Sequence, residues 1–66
     1  MEIKLRLLKL GKKQVDLLEE VRKRGYRNLY PTQLSQYILG KIQTAQAEAV
    51  LEICRQILDE WENERK

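Results

Sequence analysis

The chain has no histidine, one cysteine, one proline and three glycines among its 66 residues. Without histidine, and with a single thiol, no ordinary zinc or transition-metal site can be assembled. The lone Cys54 also excludes an internal disulfide, and its position on the inner face of the last predicted helix makes it a small core hydrophobe rather than a reactive thiol. No apolar run approaches the roughly 18 residues of a membrane-spanning helix. Residues 1–8 are too charged and too short for a secretory signal, so the expectation is a cytoplasmic protein with no membrane partner. There is no glycine-rich phosphate loop, and the carboxylates fall on solvated helix faces, so no catalytic site, cofactor or small-molecule substrate is expected. A chain this short also buries too little surface to wall a large cleft, which favours a binding module over an enzyme.

What is present is a balance of 42% apolar and 35% charged residues, enough for one small core and a single domain over residues 1–66. The net charge of +3 is unevenly spread. Residues 1–43 carry ten Lys or Arg against four Asp or Glu, giving +6, while 44–66 carry three against six, giving −3. A basic body holding Lys12, Lys13, Arg22, Lys23, Arg24, Arg27 and Lys41 would attract a polyanion, with the acidic tail helix facing away. The Arg22 to Arg24 run has an equally ordinary reading, since cations at a helix C-terminus answer its dipole.

Apolar spacing predicts four helices near 2–10, 13–24, 31–39 and 44–63, joined by short connections. The fold class is therefore all-α. The first segment is the ambiguous one: Met1, Ile3, Leu5 and Leu7 alternate as in a strand, while Ile3, Leu7 and Leu10 fit a helix face. Helix is preferred because its residues are good helix formers and a lone strand would need a partner. In the second helix Leu17, Leu18 and Val21 face inward, with Glu19 and Lys23 in the favourable i, i+4 order outside. Leu29 is expected to plug the gap before the third helix, and Tyr26 and Tyr30 to sit at the core rim or reach a phosphate. Thr44 is a credible N-cap for the last helix, whose stripe of Ala47, Val50, Cys54, Ile57 and Trp61 is widened by Leu51, Ile53 and Leu58. That stripe is broad for its length. Ile57, Leu58 and Trp61 are expected to outrun the monomer's core and form a homodimer interface, the alternative being that Trp61 folds back over the first helix of its own chain.

The segment from Pro31 to Lys41 carries the sharpest functional signal. Pro31 suits the first helical position and Gly40 the position after the last turn. Leu34, Tyr37 and Ile38 share a buried face, leaving Thr32, Gln33 and Gln36 in front as candidate DNA base contacts. A Gln can bond adenine N6 and N7 together, and a Thr offers a hydroxyl and a methyl. Lys12, Lys13 and Gln14, at the start of the preceding helix, together with Lys41, are candidate phosphate contacts.

Gln14, Leu17, Val21, Leu34, Ser35, Gln36, Tyr37, Gly40 and Lys41 together resemble the helix-turn-helix of small phage repressor and Cro-like regulators, the Xre-type, lambda-repressor-like family. In that family a Gln opens the first motif helix and the second ends in Gly-Lys. The likeness covers roughly residues 3 to 58, with two departures: Leu18 stands where a small residue is usual, and Arg22 to Leu29 replaces a shorter turn. The resemblance implies a compact four-helix helix-turn-helix domain. It implies a phage or prophage repressor, binding double-stranded DNA as a dimer on a palindromic operator and associated with the nucleoid of a bacterial host. A second reading is an antirepressor or adaptor, binding an acidic protein partner through a patch of Ile38, Leu39 and Ile42.

Overall fold

Helix formation follows the capping chemistry of the chain, and the computed structural model describes residues 2–64. The helices are α1 (Glu2–Leu10), α2 (Gln14–Lys23), α3 (Pro31–Leu39) and α4 (Ala45–Glu64). The first ends where the Gly11 and Lys12 N–H groups donate to the carbonyls of Leu8 and Leu7. Lys13 opens the second. An ammonium has only donors and cannot cap a helix N-terminus, so the bond runs the other way, from the Lys13 backbone N–H to Asp16 Oδ2 at 2.9 Å. The fourth begins as its sequence suggests, with Thr44 Oγ1 accepting from the Ala47 N–H at 3.1 Å.

The 20-residue α4 is the spine. It packs against each of the three shorter helices, and α2 also packs on α3. Ala47, Val50, Cys54, Ile57 and Leu58 of α4 are buried in one cluster with Leu17, Leu18 and Val21 of α2, Leu34, Tyr37 and Ile38 of α3, and Ile3, Leu7 and Leu10 of α1. No polar or charged residue is buried among the described residues. The core is dry and apolar.

The ambiguous first segment is helical, with Ile3, Leu7 and Leu10 inward and Leu5 and Leu8 outward at 56% and 77% exposure. A strand would have put Leu5 on the same face as Ile3 and Leu7. The helix wins because α4 offers it a long apolar groove and no strand edge exists beside it. Arg6 fastens the pair, its guanidinium bonding Asp59 and its Nε donating to Glu62 Oε2 at 2.7 Å, while Arg24 reaches Glu60 at 2.8 Å. Both guanidinium pKa values are raised, first by these hydrogen bonds to carboxylates. Lys23 pairs with Glu20, one turn back by three residues, rather than with Glu19.

This packing corrects the expected dimer interface. Ile57 and Leu58 are fully enclosed within the single chain, in one cluster with the inward residues of α1, α2 and α3. Trp61 is half-buried against the same core, with the Lys12 ammonium 5.1 Å from its ring centroid.

A Leu58→Ala substitution should therefore cost about 2–5 kcal/mol through the cavity it leaves. For a domain of this size, whose stability is on the order of 3–10 kcal/mol, that is a large share. Denaturant midpoints should show the loss to be the same at low and high protein concentration, as an interface residue would not.

Candidate nucleic-acid interface

The third helix is short and closed at both ends. Pro31 occupies its first position, where a missing N–H is harmless. At the other end Gly40 takes φ +79°, and the Gly40 and Lys41 N–H groups bond the carbonyls of Tyr37 and Gln36 at 3.1 and 3.0 Å. Only a residue without Cβ takes that left-handed turn at no cost, so the Gly40–Lys41 pair ends the helix sharply and turns Lys41 out into solvent. Leu34, Tyr37 and Ile38 form the buried back, and the Tyr37 hydroxyl accepts from Gln46 Nε2 at 3.3 Å. The helix is packed against both α2 and α4.

Its front is polar and carries no charge. Thr32 is exposed, and Gln33, Ser35 and Gln36 are half-buried. The two glutamines differ. Gln33 Oε1 accepts the backbone N–H of Tyr30 at 3.0 Å, which replaces the cap that Tyr30 itself cannot supply. The cap commits Gln33 Oε1 to its own helix N-terminus, whereas the Gln36 amide has no hydrogen bond among the described residues, so both its groups are available for a two-bond grip on adenine. A Gln three residues after an N-cap is the local signal for this role.

Gln14, at the first position of α2, lines a small recess of about 60 Å³ together with Val15, Leu18, Pro31 and Leu34. The N-termini of α2 and α3 are thus brought to one edge, and Lys13 stands beside Gln14, exposed. Lys41 lies at the far end of α3. Lys12 is directed to Trp61 on α4 and is not gathered with the α3 front.

Charge follows the same division. Between Glu20 and Glu48 there is no acidic residue, while Arg22, Lys23, Arg24, Arg27 and Lys41 fall in that stretch. Three α4 carboxylates are engaged by Arg6 and Arg24. Lys13, Arg22, Arg27 and Lys41 have no carboxylate partner among the described residues. In the connection before α3, Leu29 is buried and Tyr26 half-buried on the core, while Tyr30 is 63% exposed and joins Arg27 and Asn28 at the surface. Cys54 takes no part, since burial pushes its thiol up to about 12. No helix of the described residues is long and apolar enough to cross a membrane.

No family model matches the chain, and neither a curated protein nor a solved structure does.

Two outcomes are expected. Gln33→Ala should lower stability by about 0.5–2 kcal/mol through loss of the cap, whereas Gln33→Glu should keep it, because a carboxylate accepts the same bond and suits the helix N-terminus. Thermal melts of the two variants would check this. Cys54 should resist alkylation at pH 8 at any rate faster than unfolding. Because the thiol's folded value lies above its ordinary 9.0, its contribution to stability is complete below pH 9 and is lost as pH rises toward 12.

Proposed function

We propose that this chain is a sequence-specific DNA-binding regulator of the phage repressor type, a lambda-repressor-like helix-turn-helix domain. The observation that carries the reading is the α3 front: Thr32, Gln33 and Gln36 are presented without charge on a helix capped at both ends, inside a stretch from Val21 to Ala47 that holds cations and no acid. An uncharged donor and acceptor surface flanked by cations suits a major groove between two phosphate ribbons. Lys13, Gln14 and Lys41, with Lys12 further out, set the register through phosphates, and Gln36 and Thr32 read bases, assisted by the Gln33 amide donors. Repression follows by occlusion of the bound site.

One copy offers few contacts, so the reading includes two copies on a two-fold operator, with recognition helices about one DNA turn apart. Ile57 and Leu58 are core and do not join them; the apolar side chains left exposed on α1 are Leu5 and Leu8. Of the three apolar residues of the adaptor reading, Ile38 is buried and Leu39 and Ile42 are half-buried.

Selection of bound sequences from a random duplex pool tests the function directly. A recovered palindrome supports the dimer, and no enrichment overturns the reading. On the recovered site Gln36→Ala should weaken binding by about 1–3 kcal/mol with the melting temperature unchanged. Lys41→Ala should instead weaken all duplexes alike and reduce the salt slope by about 0.9.

A further inference from the structure

The connection from Arg22 to Tyr30 is longer than a two-helix motif needs, and its construction is ordered rather than slack. Gly25, at φ +122°, reverses the chain after α2 in a conformation closed to other residues. Leu29 is buried, its N–H donates to the Tyr26 carbonyl at 3.1 Å, and its carbonyl accepts from Arg22 Nε at 2.9 Å. Tyr26 rests on the core. Arg27 and Asn28 are therefore held at the tip of a four-residue turn anchored on both sides, and both are exposed.

Arg27 faces two recesses. One, of about 380 Å³, is lined by Arg22, Lys23 and Arg27 alone. The other, of about 550 Å³, runs from Arg27 and Asn28 past Tyr30 to Gln33 on α3. A cationic hollow and the front of the reading helix thus meet at one side chain. Only Lys23 of the three cations has a carboxylate beside it, Glu20 at 3.3 Å and on the surface.

We propose that the Arg22–Tyr30 connection is a second backbone clamp, in which Arg27 binds a phosphodiester of duplex DNA beside the segment facing α3. This rests on the DNA-binding reading above. The anchored turn fixes where the Arg27 side chain leaves the backbone, a guanidinium suits phosphate geometry, and Asn28 and the Tyr30 hydroxyl add neutral donors alongside. Phosphate is favoured over a base edge because the cationic recess offers three positive groups and no acceptor side chain for an exocyclic amine.

The test compares parent, Arg27→Ala, Arg27→Lys and Lys41→Ala on the selected site and on a scrambled duplex, across a fourfold range of salt. Arg27 is exposed, so circular dichroism melts should be unchanged. Arg27→Ala should reduce the slope of log affinity against log salt by about 0.9 on both duplexes, a roughly three- to fourfold smaller loss over that range, and Arg27→Lys should restore it. An unchanged slope in Arg27→Ala with a reduced one in Lys41→Ala overturns the clamp and leaves the DNA-binding reading standing. A loss confined to the selected site also overturns it, since that is base readout. A parent that binds neither duplex overturns both.

Discussion

Everything in this molecule depends on the burial of one apolar stripe, that of α4, beneath three helices each too short to persist alone. Helices of nine or ten residues are marginal in water, and their stability comes from the face they bury. Ala47, Val50, Cys54, Ile57 and Leu58 supply that face along a helix about 30 Å long. The first half of α4 supports α3 through the Gln46 to Tyr37 contact, and the second half carries α1 through Asp59 and Glu62. A helix held on such a spine keeps its side chains in place without loops having to position them.

The spine also sorts charge. Its carboxylates draw Arg6 and Arg24 to themselves, so cations that would otherwise spread over the surface are partly neutralised on the α4 side. Exposed pairs of this kind contribute little stability, typically up to about 1 kcal/mol each. Their larger consequence is distribution: Arg6 and Arg24 are paired on α4, while Lys13, Arg22, Arg27 and Lys41 have no carboxylate partner among the described residues.

The pattern of residues was most legible where the controlling interaction lies within a single turn. Pro31, Gly40 and Thr44 marked helix ends correctly because capping involves neighbours only a few positions away. The Gln33 cap is equally local, but a Gln bears both donors and an acceptor, so its type alone does not separate a capping role from a base-contact one. In α1 two periods fitted the same letters, and the groove beside it decided between them.

By itself the sequence determined the four helices, the inward faces of α2, α3 and α4, and the acid-free stretch between Glu20 and Glu48. These depend on spacing along the chain and on composition, which need no knowledge of neighbours. Tertiary structure alone decided that Ile57 and Leu58 are enclosed, that Lys12 lies over Trp61, and that Arg22, Lys23 and Arg27 share one hollow. A helix face records that it is apolar but not what covers it. What covers it is set by which helix lies across which, and here the chain's own helices enclose Ile57 and Leu58.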